Sequence, residues 1–195
     1  MQIEEGERLV RYARNVIENH VKGNKIDDLE NFEEKAGVFV TINTYPEKML
    51  RGCIGIPEPI MPLNKAIKEA AISACHDPRF PDLREEELDN IIIEVTVLTP
   101  PELIKCKPKD YPMYVEVGRD GLIIEKGWYK GLLLPQVAVE YKWNAEEFLS
   151  HTCMKAGLPP DAWLDEETKV YKFQGEVFAE EEPHGKIIKV ELENA

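Results

Sequence analysis

Met49-Leu50-Arg51-Gly52-Cys53-Ile54-Gly55-Ile56 decides how the rest of the chain is read, because it sets an arginine and a thiol two residues apart among glycines. Taken as a strand, it projects Arg51 and Cys53 from one face, while Gly52 and Gly55 omit side chains that would keep a ligand off the backbone. A guanidinium beside a thiol favours the thiolate, the form that attacks electrophiles or enters redox exchange. Cys53 also reads as a small apolar residue packed into a sheet, the commoner fate of an isolated cysteine. Residues 37–44 just before are β-branched and alternating, and Tyr45-Pro46-Glu47-Lys48 makes a turn, so the two runs predict an antiparallel hairpin.

Working outward toward the N-terminus, residues 4–22 predict a helix with Leu9, Ala13, Val16, Ile17 and Val21 on one face and Gly23 to end it. The acidic run 27–35 suggests a short helix. After the central stretch, residues 63–75 place Leu63, Ala66, Ile67, Ala70, Ala71 and Ala74 on one side, a small-residue stripe suited to close packing on a sheet. The next segment, Asp77-Pro78-Arg79-Phe80-Pro81, has two prolines stiffening the backbone around Arg79. Rigid presentation of an arginine suits anion binding, and a structural ion pair suits it equally. Residues 84–88 read as a helical turn and 91–98 as a strand whose single charge is Glu94; a carboxylate among such neighbours calls for a cation, with Arg51 or Arg79 available.

Further along, residues 113–117 and 122–126 flank Gly118-Arg119-Asp120-Gly121, whose Asp-Gly pair predicts a hairpin turn. Residues 126–131 form a second turn before Leu132-Leu133-Leu134, and Pro135 suits the first turn of a helix. Gln136 is then an amide beside a helix N-terminus in apolar company, needing a partner from the backbone or a ligand if buried. Asn144 and Glu147 make a capping box for a helix ended by Gly157. On that helix Cys153 lies on the apolar stripe and His151 off it. Residues 169–180 alternate as a long strand, and 187–192 suggest an edge strand.

With 195 residues, 43% of them hydrophobic, the chain suits one sizeable domain, with room for a smaller lobe but not for a second ordinary domain. No apolar run approaches the roughly 20 residues needed to span a bilayer, and the acidic N-terminus lacks an apolar signal core, which predicts a cytoplasmic protein without a membrane partner. A net charge of -13 would repel a phosphate backbone, so nucleic acid is not expected as a partner. Cys53, Cys75, Cys106 and Cys153 have no zinc-type spacing, and no metal or other cofactor is expected. Abundant Glu and Lys with 14 prolines lean toward a thermophilic source.

Taken in order, Leu50-Arg51-Gly52-Cys53-Ile54-Gly55, Asp77-Pro78-Arg79-Phe80-Pro81, Ile93-Glu94-Val95, Asp120-Gly121-Leu122-Ile123, the run 131–138 and Lys155-Ala156-Gly157-Leu158 resemble the AMMECR domain family. That family takes its name from a chromosomal deletion with Alport syndrome, midface hypoplasia and elliptocytosis. The resemblance covers about residues 3–180. It implies an α+β fold, a mainly antiparallel sheet flanked by helices with a larger and a smaller lobe. It also implies a functional site in the six-residue motif, hence Arg51 and Cys53, and companionship with Memo-like and radical SAM proteins. It implies no particular reaction.

Two functions are open at this level, beside a purely structural role in which the motif is a tight hairpin in the core. In one, Cys53 is a nucleophile or redox thiol, Arg51 or Arg79 orients an anionic group, and Glu94 or Gln136 holds the arrangement. In the other, the same cleft around residues 50–55 binds a small anionic or carbonyl ligand, or a partner, without turnover. Both expect Arg51, Cys53, Arg79, Glu94 and Gln136 to converge on one cleft between lobes, since polar groups in apolar segments need mutual partners or a ligand, with Gly52 and Gly55 opening the backbone to that ligand.

Overall fold

A computed structural model describes residues 1–191. The chain forms helix α1 (Ile3–Lys22), strands β1 (Val38–Thr44) and β2 (Leu50–Ile56), helix α2 (Leu63–Ala74), and strands β3 (Ile91–Leu98) and β4 (Glu102–Leu103). There follow the short helix α3 (Tyr111–Tyr114), strands β5 (Asp120–Lys126) and β6 (Tyr129–Leu133), helices α4 (Pro135–Glu140) and α5 (Ala145–Lys155), and strands β7 (Lys169–Glu180) and β8 (Ile187–Val190). The chain divides into two compact units, a larger one of Met1–Leu98 with Glu176–Glu191 and a smaller one of Thr99–Gly175. Strand pairing is antiparallel in each, which makes the protein α+β with helices flanking antiparallel sheet. No helix among the described residues is long and apolar enough to cross a membrane.

In the larger unit the strands run β2-β1-β3-β7, with β8 also on β7. Val38, Val40 and Ile42 of β1 and Ile91, Ile93, Val95 and Val97 of β3 point alternately into a core closed by α1 and α2. Helix α1 begins with a capping box in which Glu5 accepts the Gln2 backbone N–H at 2.9 Å, and it buries Leu9, Ala13, Val16 and Ile17. The alanine stripe of α2 is buried throughout, as its spacing predicts. Arg14 is buried on the core side of α1 as well, where its Nε and Nη2 donate to Glu180 at 2.6 and 2.8 Å, Nη1 donates to the Leu88 carbonyl and Nη2 also to the Ile91 carbonyl.

One expectation changes here and two gain detail. Residues 27–35 form no helix: Asn31 and Phe32 have φ of 69° and 57°, outside helical space. Their segment caps α2 instead, the carbonyls of Glu34 and Phe32 accepting the N–H groups of Leu63 and Asn64 at 2.9 and 3.1 Å. The hairpin β1–β2 forms as expected, but its register shifts between Ile42 and Asn43, leaving Arg51 opposite no residue of β1. Of the predicted edge strand 187–192, residues 187–190 form β8, and Leu192 lies outside the described residues.

In the smaller unit β5 pairs with β6 and with the first half of β7, which also pairs with β4. The Asp-Gly pair is not a hairpin turn, because Asp120 opens β5 with its side chain buried. Its carboxylate accepts the Glu116 N–H at 2.9 Å, Arg119 at 2.9 and 3.0 Å and Gln174 Nε2 at 2.7 Å. The turn lies at Gly127 and Trp128, between the paired residues Lys126 and Tyr129, and Gly127 supplies its positive φ of 58°. Residues 111–114 are helical, so the strand expected over 113–117 does not form. Pro135 does start α4, and Asn144 caps α5 by accepting the Glu147 N–H at 2.8 Å. The apolar face of α5, with Phe148, Leu149 and Cys153, joins Leu122, Ile124, Val170 and Trp163 in this unit's core.

Candidate functional site

Strand β2 is the outermost of its sheet, so the residues that face away from β1 need partners from elsewhere. At Cys53 the loop after α2 supplies them. Asp77, whose side chain is 1% exposed, accepts the Cys53 N–H through Oδ2 at 3.0 Å. Its Oδ1 takes the Arg79 backbone N–H at 3.0 Å, and the guanidinium closes on both oxygens at 3.1 and 2.8 Å. Arg79 Nη2 also reaches the Cys53 carbonyl at 3.5 Å. The Asp-Pro-Arg segment thus clips one edge residue by its side chains. The Arg79 guanidinium and these two N–H groups hold the Asp77 carboxyl well below the usual carboxylate range.

Both glycines are demanded by space. A methyl on Gly52 would run into the backbone carbonyl oxygen of Ala74 at the end of α2, and one on Gly55 into the ring of Phe39. Gly52 therefore turns toward α2. In the strand register Cys53 lies opposite Thr41, and Thr41 opposite Glu94, which sets the three in one row across β2, β1 and β3. The Thr41 hydroxyl and Cys53 Sγ are 3.2 Å apart, with either atom able to donate.

The surroundings favour the protonated thiol over the thiolate. Burial pushes its pKa up and outweighs the Thr41 hydrogen bond and the Arg79 charge, which pull it down; Glu94 and Asp77 push it up further. Glu94 is half-buried, and burial alone raises its carboxyl above the ordinary range. It has no hydrogen bond or ion pair among the described residues, and neither Arg51 nor Arg79 serves it. Arg51 is held by Glu87 through two hydrogen bonds of 2.9 and 3.1 Å, and Nη2 adds a bond to the Asp82 carbonyl at 3.2 Å. The Arg79 side chain is 57% exposed, and its Nη1 makes no hydrogen bond among the described residues.

Of the residues singled out from the sequence, Cys53, Glu94 and Arg79 come together with Thr41. Arg51 and Gly52 turn to other partners, and Gly55 lies beside Phe39. Gln136 belongs to the smaller unit, where it is exposed in the first turn of α4 without a hydrogen-bond partner among the described residues. Sequence reasoning missed Thr41 and the part played by Asp77. Asp77 stood in the quoted motif beside the chosen Arg79, and its position next to a proline after a helix end is the signal that could have found it. Among the described residues no three His, Cys, Asp or Glu side chains gather as a metal-binding group.

The chain is 58% identical to protein MJ0810 of Methanocaldococcus jannaschii over 98% of each sequence. It is 59% identical to protein PH0010 of Pyrococcus horikoshii over 93% of each. The crystal structure of that uncharacterized protein PH0010 superposes with a TM-score of 0.83 at 56% identity, covering 97% of this chain and 98% of that one. The sequence model of the AMMECR1 family matches residues 10–178, from within α1 to β7, and so includes every residue of the row and its clip. The chain belongs to the AMMECR1 family.

Proposed function

We propose that the row of Cys53, Thr41 and Glu94, with Arg79 at its edge, binds a small molecule bearing a carboxylate or carbonyl group. The observation that carries this reading is Glu94. A half-buried carboxyl with no partner costs folding free energy, and such groups concentrate where a ligand supplies the missing partner. When protonated it donates to a ligand oxygen, which the Cys53 and Thr41 hydrogens can also reach, while the exposed guanidinium of Arg79 offers charge to a carboxylate. Arg51, engaged by Glu87, holds the bulged strand in place.

A second reading makes Cys53 a nucleophile. It is favoured by Glu94 standing one strand beyond Thr41 as a carboxyl with a raised pKa, suited to receive a proton when substrate arrives. The resting thiol weighs against it, so binding is the primary reading. Memo-like and radical SAM proteins are the partners this proposal carries from the family resemblance. A cytoplasmic setting in a thermophile goes with it, supported by the acidic composition and by relatives from Methanocaldococcus and Pyrococcus.

The test uses ligand-observed NMR with pyruvate, which carries both groups, alongside acetate and acetone, which carry one each. Pyruvate is expected to bind more tightly as pH falls, to outcompete both others, and to lose at least tenfold in affinity with Arg79→Ala or Glu94→Ala. Equal binding to wild type and both variants, or no binding by any of the three probes, overturns the reading.

A further inference from the structure

A second cluster lies away from that row, where the C-terminal ends of α1 and α2 meet in the larger unit. His20 is in the last turn of α1, and His76 follows the C-cap of α2. Their Nε2 atoms are 2.7 Å apart, with ring centroids at 5.0 Å and planes at 89°. On the far side of its ring, His76 Nδ1 stands 2.9 Å from Asp82 Oδ1. We propose that His20 and His76 are the two protein ligands of a surface site for an imidazole-preferring divalent transition metal such as Zn2+, with Asp82 orienting His76.

The chemistry follows from the tautomer. A carboxylate accepts the Nδ1 hydrogen of His76, which fixes the proton on that side and leaves the Nε2 lone pair aimed at His20. Without a cation the facing nitrogens of two imidazoles must share a proton between them. A metal ion replaces that proton and takes both lone pairs. Metal–nitrogen bonds of about 2.0–2.1 Å at tetrahedral to right-angled geometry need the nitrogens about 2.9–3.4 Å apart, a small opening from their present separation.

The helices that carry the rings are fixed by the core, since Val16 and Ile17 of α1 and Ala70, Ala71 and Ala74 of α2 are all buried in it. The site is thereby pre-arranged. Since no third such side chain joins the pair among the described residues, water completes the coordination, and the 48% exposure of His76 leaves room for it. Imidazole donors without thiolate or a carboxylate cage select Zn2+, Ni2+ or Cu2+ over Mg2+ or Ca2+. Bound metal would tie the ends of two helices together and stabilise the fold by mass action.

The test is calorimetric titration of the chelator-treated, full-length protein with zinc chloride, followed by thermal denaturation with and without the ion. One equivalent is expected to bind and to raise Tm, with at least a tenfold loss of affinity in His20→Ala and in His76→Ala. Asp82→Asn is expected to lose affinity while keeping the stoichiometry. His184→Ala removes another histidine flanked by carboxylates, Glu18 and Asp89, and is expected to change nothing. Copper(II) electron paramagnetic resonance should report two nitrogen ligands in the parent and one in either single variant. The proposal is overturned if zinc does not bind at millimolar concentration, if affinity survives His20→Ala, or if it falls with His184→Ala instead.

Discussion

Replacing Glu180 by alanine probes the interaction that joins α1 to β3 and β7. Its carboxylate accepts two nitrogens of Arg14 and the backbone N–H of Ile93 at 2.9 Å, and the two side chains are 3% and 7% exposed. Among the described residues only Glu18 would remain as an acidic partner of Arg14, at 3.1 Å and less buried. Breaking a buried pair from one side leaves a charge without its counter-ion and costs about 3–5 kcal/mol. At about 2–4 °C per kcal/mol for a chain of this size, the expected fall in Tm is about 6–20 °C. The assay is reversible urea or thermal unfolding by circular dichroism. The double change Arg14→Met with Glu180→Leu removes both charges and should recover most of the loss. A cost below about 1 kcal/mol for Glu180→Ala, or a double variant worse than the single, would refute the reasoning.

Other outcomes follow from the candidate site. Glu94→Gln should raise Tm at neutral pH but not at pH 3: a carboxyl with a raised folded pKa penalises folding once the unfolded chain ionises, and the penalty vanishes below both values. An equal effect at both pH values counts against the assignment. Iodoacetamide labelling of folded Cys53 should follow a midpoint above the roughly 8.5 of free cysteine, and a lower midpoint would restore the thiolate reading. Asp77→Asn should lower Tm at neutral pH, with the deficit narrowing below about pH 4, because a carboxyl with a depressed folded pKa loses its stabilising effect as pH falls; a constant deficit contradicts this. Gly52→Ala should cost about 1–3 kcal/mol by forcing the Ala74 carbonyl aside, and a neutral result would mean that β2 yields easily.

Elements whose signals are local were legible in the sequence. The stripes of α1 and α2, the alternation of β1 and β3 and the capping box of α5 all formed where periodicity placed them. What failed depended on distant partners. Arg14 is a charge on a buried helix face whose partner lies 166 residues away, and no window of sequence contains both. The Asp-Gly pair reads as a turn until Gln174, 54 residues away, and Arg119 are seen to hold Asp120 inside. At the site, the shift at Arg51 moves the hairpin register by one residue. Continued without it, the pairing of Asn43 with Leu50 would set Val40 opposite Cys53, so Thr41 stayed hidden and Arg51 was assigned to the thiol's face.

The account stands on Glu94 as an unpartnered carboxyl that a ligand completes. An NMR titration of its side-chain carboxyl carbon, in the free protein and with saturating pyruvate, tests this most directly. The predicted result is a midpoint above the roughly 4.3 of an ordinary glutamate that rises further when pyruvate binds, since the protonated form donates to the ligand. A midpoint at or below the ordinary value, unmoved by pyruvate, would contradict the account.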